Sequence, residues 1–414
     1  MSDKPRHAYL DALRGWAILL VLLIHASQGQ FAFHALGRLN PAERSDLVLP
    51  AALSVVCGAG GDGVVLFFVV SALSLTIGAR KQATMDLRAY ALRRFFRIAP
   101  MYYCGVALYL TLFGWGPRLA SASGVNAADI VANLTFTHGF RDSAINSVVP
   151  GGWSVAAEAI FYVLLPSMLY LLIRAPKTWG LVAGLSIVLS TTYRLNAFGA
   201  YQLGPMAAFY PINYLPGFAF GLVAGLWIAR AEEKIIEARV SPTSALAQLS
   251  KFDPAILLFA LVCVAPLIAA MTTLPAVPQA FDSVKIALTA MLGALLCLQL
   301  HGAERPNQAV VNRITQRIGV VSFSIYITHF ALMSPAYQFS SNITSDRGVI
   351  FLVIYYIALV GGAFVVANVT YELIERPFIR LSRRLTSALS ALPSPLPAAN
   401  LPFPTPAAPN ERSQ

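Results

Sequence analysis

What most restricts the folds open to this chain is an apolar run over residues 9–31, YLDALRGWAILLVLLIHASQGQF. It is long enough to cross a bilayer, yet Asp11, Arg14 and His25 lie inside it. An ionisable side chain near the middle of a membrane helix costs roughly 2.5–3.5 kcal/mol on insertion scales, so such groups are functional candidates by default. Ten residues separate Arg14 from His25. Steps of about 100° then carry the chain just over three turns, which sets both side chains on one face about 16 Å apart. A cation at one depth and a titratable imidazole about half a membrane away is the arrangement to be explained.

Runs of the same kind recur along the chain. Of its 414 residues 57% are hydrophobic and only 12% charged, against roughly 25% charged in an ordinary soluble domain. A soluble multidomain protein is excluded; the fold class is all-α, a polytopic bundle of membrane helices. Spans are expected at 9–31, 51–78, 98–114, 153–173, 179–193, 207–229, 255–271, 284–300, 318–337 and 349–373, about ten helices of the length a hydrocarbon core requires. An even count puts both termini on one side. With that side cytoplasmic, 22 of the 30 Lys and Arg residues fall on inner segments and seven on outer ones, with Arg14 in the membrane. Such a positive-inside bias sets the orientation.

The net charge of +11 therefore belongs to topology, and nucleic acid is not an expected partner. Four cysteines stand singly in apolar surroundings with no CxxC, so neither a disulfide framework nor a bound metal is expected. The first run is too long for a signal-peptide core and is read as an uncleaved span. Residues 1–385 form the expected membrane domain. Residues 386–414, rich in proline, form a cytoplasmic tail expected to be extended or disordered. Outer loops at 31–50 and 115–152 are long enough to cover an acceptor site. Asn133 and Asn342 begin glycosylation sequons, a pattern common by chance. Gly217, Gly221 and Gly225 make a stripe that lets another helix approach closely.

Five further groups could carry chemistry. Arg94 and Arg97 follow Arg93 at the inner start of the third span. Three apart, they share a face, and they serve either as a topology anchor with snorkelling side chains or as a guanidinium fork for phosphates. Trp153, Ser154, Glu158 and Tyr162 enter the fourth span from outside. Ser154 and Tyr162 flank Glu158 at i−4 and i+4, on one face. Glu158 is either held by hydrogen bonds or set at the level of His25, where it orients the imidazole. His329 lies midway through the ninth span, a position where a histidine more often packs than reacts. Glu372 and Glu375 before Pro377 are expected to pair with local arginines. Asp62, at membrane entry, is a third outer-side polar group.

At these residues the chain resembles the acyltransferase 3 family of integral-membrane O-acyltransferases. The matching stretches are Arg14 with His25, Arg94 with Arg97, the run Gly63 to Leu73, and Trp153-Ser154 with Glu158, Phe161 and Tyr162. Tyr326 with His329 and Glu375 with Pro377 complete the set. They fall in family order and cover nearly the whole chain. Val65 and Ala72 stand where the family commonly has aspartate and glycine, and Ala157-Glu158 replaces a Glu-Glu pair.

The resemblance implies acyl transfer from cytosolic acyl-CoA, commonly acetyl-CoA, to a hydroxyl of an extracytoplasmic carbohydrate or lipid-linked glycan. That is O-acetylation of cell-envelope polysaccharide at the bacterial inner membrane. Joined to the reading of the residues above, it leads to the expectation of donor binding at Arg14, Arg94 and Arg97, catalysis by His25, Glu158 and His329, and acceptor binding at Trp153, Ser154, Tyr162 and Asp62. The partners it implies are membrane lipid, acyl-CoA and the glycan acceptor; oligomeric state is left open. Ten spans with buried charges also suit a proton-coupled transporter, though no inverted repeat is visible. A non-catalytic export scaffold is the third reading.

Overall fold

The computed structural model describes residues 8–28, 57, 59–80, 84–118, 121–197, 203–238, 278–303, 307–339, 348–391 and 400–402. The expected span 255–271, the outer loop 31–50 and the Asn342 sequon lie outside them.

Among the described residues, seven helices are long and apolar enough to cross a membrane. They belong to α1 (Ala8–Gln28), α2 (Asp62–Arg80), α3 (Leu87–Phe113), α5 (Gly152–Arg174), α7 (Leu215–Ala238), α8 (Pro278–Gly302) and the run of α11 (Gly348–Thr370) into α12 (Arg376–Ala391). The short helix α4 (Ala127–Leu134) lies between α3 and α5. The helix α6 (Trp179–Leu195) coincides with the expected fifth span at 17 residues. The chain is thus an integral membrane protein built from helices.

Among the boundaries that depart from expectation, three have a local reason. α3 begins eleven residues before the predicted 98, because the Asp86 carboxylate accepts from the backbone N–H groups of Arg88 and Ala89 and caps the helix there. The arginine triplet consequently sits in the body of a helix and not at its start. The predicted ninth span divides into α9 (Arg313–Val320) and α10 (Ser322–Phe339). Asn312 and Thr315 form a capping box at the start of α9, and α9 lies tightly along α1: a Cβ on Gly319 would fall 1.7 Å from the Asp11 carbonyl. The last span passes through a π turn, Tyr371–Glu375, into α12. α12 runs on to Ala391, across the 385/386 boundary drawn from composition. Farther along, Asn400–Pro402 pairs antiparallel with Thr84–Asp86 as a two-stranded ribbon.

The glycine stripe does what its spacing implies. Gly217 faces Phe68, Gly221 faces the Val69 carbonyl and Gly225 faces Thr76, all on α2. A Cβ at Gly221 would lie 2.4 Å from that carbonyl, so only hydrogen fits. Gly221→Val should therefore overpack the α2–α7 seam at a cost of about 1–3 kcal/mol and lower the thermal midpoint on fluorescence-detected size exclusion. Gly361→Val, where nothing lies within 4 Å, is the neutral control.

The segment between α3 and α5 is a folded cap. Asn126 and Asp129 make a capping box on α4, and Arg141 and Ser143 both donate to the Asp129 carboxylate, at 2.7 and 2.6 Å. Asn133 is buried, accepting from the Tyr102 hydroxyl at 2.7 Å and donating to the Asp129 carbonyl. Its side-chain nitrogen is therefore closed to glycosylation in the folded protein.

Candidate functional site

The largest consequence of this packing is a cavity of about 400 Å³ bounded by α1, α2, α3, α5, α10 and α12. Its polar wall starts on α1. Arg14, six residues from the helix start, donates to Asp11 at 2.8 Å and to Ser74 of α2 at 3.0 Å. Ser71, one turn before Ser74 on the same face, donates to Oε1 of Glu158 at 2.5 Å, and Tyr162 donates to the same oxygen at 2.5 Å. The Arg94 guanidinium lies over the Tyr162 ring, 5.7 Å from its centroid. Arg97 donates to Glu375 at 2.6 Å, and Ser324 donates to the other oxygen of that carboxylate at 2.5 Å. The π turn inserts one residue into the helix, re-aiming the side chains that follow, and Glu375 is its last residue.

Arg14, Arg94, Arg97, Ser154, Glu158 and Tyr162, read from well-separated stretches of sequence, all line this one cavity. Arg93 and Arg383 join them, so five guanidiniums face a single lining carboxylate. A cavity of that charge takes a polyanion, and guanidinium forks match phosphate oxygens. Val64, Phe67, Phe68, Ile98, Val155 and Phe323 give it an apolar wall, with Ser322 and Ser382 also in the lining.

Tyr326 also lines the cavity; its hydroxyl accepts from Ser154 at 2.8 Å and donates to the Gly151 carbonyl at 2.9 Å. One turn on, His329 is fully buried, with Nδ1 2.8 Å from the Tyr326 carbonyl. A carbonyl can only accept, so Nδ1 carries the proton and Nε2 presents a bare lone pair. Nε2 has no partner among the described residues. The His25 ring is 5.3 Å from the His329 ring and 4.5 Å from Phe330. The two histidines, about 300 residues apart in sequence, thus form a pair one turn beyond the cavity wall.

Not every expected neighbour is brought together. The partners of the Glu158 carboxylate are Ser71 and Tyr162, so it stands with the arginines, while His25 has His329 beside it. Trp153 packs in an aromatic cluster, 4.6 Å from Tyr214 and 5.4 Å from Phe209. Asp62 is buried in an ion pair with Lys285 at 3.4 Å. Ser71, Ser74, Arg93 and Arg383 were not singled out from sequence. The three-residue spacing of Ser71 and Ser74 was the available signal for the first two, whereas the arginines read as positive-inside residues.

Glu158→Ala should leave the Tyr162 and Ser71 hydroxyls without their acceptor, at about 1–3 kcal/mol. Glu158→Gln, which keeps an oxygen there, should melt close to wild type in the same assay.

Neither a curated protein nor a solved structure shows a significant match to the chain. A family profile does: that of the acyltransferase domain known as acyltransferase 3 matches residues 7–371, which hold the features described above up to the start of the π turn, but not Glu375, α12 with Arg383, or the Asn400–Pro402 strand. With that match covering most of the chain, and with Arg14, Arg94, Arg97, Ser154, Glu158, Tyr162 and Tyr326 of its motifs lining one cavity, the chain belongs to the acyltransferase 3 family and is a membrane acyltransferase.

Proposed function

We propose that this enzyme moves an acyl group, acetyl in its ordinary use, from cytosolic acyl-CoA to a hydroxyl of an extracytoplasmic carbohydrate or glycolipid, with both chain termini in the cytoplasm of a bacterial inner membrane. The observation that carries the reading is the convergence of Arg14, Arg94 and Arg97 on one cavity whose far wall, Tyr326, is followed one turn later by the histidine pair. The CoA diphosphate sits at Arg94 and Arg97. The pantetheine arm runs along the apolar wall, and its extended length is on the order of the 16 Å that separates Arg14 from His25 along α1.

His25 acts as general base. It takes the proton of the acceptor hydroxyl as the oxygen attacks the thioester carbonyl; the C–O bond forms, the C–S bond breaks, and the imidazolium returns the proton to the CoA thiolate. The His329 lone pair, held by its Nδ1–H bond to the Tyr326 carbonyl, steadies the neighbouring ring and favours its charged form. Glu158 is a positioning residue, tying Tyr162 beneath Arg94. The acceptor approaches from the side of His25, Trp153 and Asp62.

The test is incubation of purified protein with radiolabelled acetyl-CoA, with glycan mass spectrometry of a deletion strain. Label released or transferred, together with loss of one acyl mass per modified sugar, supports the reading. A protein that neither binds nor turns over acetyl-CoA rejects it.

A further inference from the structure

The family match ends at residue 371, but the cavity does not. α12, wholly beyond that point, contributes Ile379, Ser382 and Arg383 to the lining. The three- and four-residue spacing puts them on one helix face. α12 is held against α3 by the Arg97–Glu375 ion pair and by the stacked rings of Phe96 and Phe378. As residue numbers fall along α3 they rise along α12, so the two run antiparallel. Moving away from the Arg97–Glu375 level in one direction, Arg93 lies about 6 Å on along α3 and Arg383 about 12 Å on along α12. That direction leads from the membrane interior towards the start of α3.

The charges at this end differ from those deeper in. Arg14 and Arg97 each have a carboxylate, Asp11 and Glu375. Neither Arg93 nor Arg383 has an ion-pair partner among the described residues, and Arg94 has only the Tyr162 ring. Unpaired guanidiniums around one cavity repel one another until an anion comes between them, and a doubly charged phosphomonoester satisfies two forks at once.

We infer that Arg93 and Arg383 form a separate phosphomonoester subsite at the mouth of the cavity, which binds the ribose 3′-phosphate of the donor and makes the enzyme selective for CoA thioesters over their 3′-dephospho counterparts. The inference rests on the donor reading proposed above: with the diphosphate at Arg94 and Arg97, the ribose phosphate falls on the mouth side. The fork is the recognising element, so lysine at 383 replaces it only in part.

The experiment compares binding of CoA and 3′-dephospho-CoA to the purified full-length chain. It uses wild type, Arg93→Gln, Arg383→Gln and Arg383→Lys, each checked by thermal melting. Wild type should prefer CoA by about 10–100-fold, as expected for paired charge-assisted hydrogen bonds. Either Gln variant should shrink that preference to within about threefold by weakening CoA alone, with Arg383→Lys in between. Equal weakening of both ligands, or a wild type that does not discriminate, overturns the subsite while leaving the donor reading intact. A wild type that binds neither overturns both. Because a phospholipid headgroup offers the same chemistry, the comparison is repeated in phosphatidylcholine nanodiscs with and without phosphatidylglycerol. An Arg383→Gln effect that follows the anionic lipid and ignores the 3′-phosphate also overturns the proposal.

Discussion

His25→Ala is expected to lower acyl transfer by about 10²–10⁴-fold, the usual contribution of a positioned general base, with donor affinity and melting temperature close to wild type. His25 is only part-buried and makes ring contacts with His329 and Phe330, so truncation opens little space and strands no charge. His329→Ala is different. It empties a fully buried site and leaves the Tyr326 carbonyl without that donor, so part of its loss should appear as lowered stability. His329→Gln, able to keep a donor there, should recover the stability but not the full rate. The measurement is turnover of labelled acetyl-CoA by each variant beside its melting curve. Full activity in His25→Ala would remove the base assignment.

The second large effect concerns Arg94 and Arg97, the proposed donor site, and it separates two residues that the sequence presents as equivalents. Arg94 has no ion-pair partner among the described residues; Arg97 neutralises Glu375, which is only 1% exposed. Arg94→Ala should raise the donor KM by about tenfold or more, since a hydrogen bond to a charged group is worth roughly 1.5–3 kcal/mol, with stability nearly unchanged. Arg97→Ala should in addition destabilise the fold by about 3–5 kcal/mol, because it leaves a buried carboxylate without its partner. Arg97→Ala combined with Glu375→Gln should restore much of the stability while donor affinity stays poor. A donor dependence unchanged in Arg94→Ala would reduce the fork to a membrane anchor.

Legibility in sequence followed the range of the interactions. Span positions are set by apolar length, and the glycine stripe by side-chain size; both survive as local properties of the chain. The start of α3 was missed because one carboxylate, Asp86, outweighs a hydropathy profile that begins later. The break at Val321 was missed because Ile318, Gly319 and Val320 at the end of α9 continue into the apolar run of α10, and the division matters only once Gly319 meets α1. Glu158 was read at the level of His25 and stands instead with Ser71 and Tyr162: depth along a helix is calculable from residue number, but which helix stands opposite is not.

From the sequence alone came a membrane-embedded helical protein, the shared face of Arg14 and His25, and the acyltransferase 3 motifs in order, since each depends on spacing within one segment. Only the tertiary structure decided that Glu158 meets Ser71, that His25 faces His329, that Asn133 is sealed inside the cap between α3 and α5, and that Arg383 reaches the cavity. Those pairings join residues tens to hundreds of positions apart, and no periodicity encodes them. They are chosen by which close-packed arrangement buries the helix faces while giving each buried charge a partner.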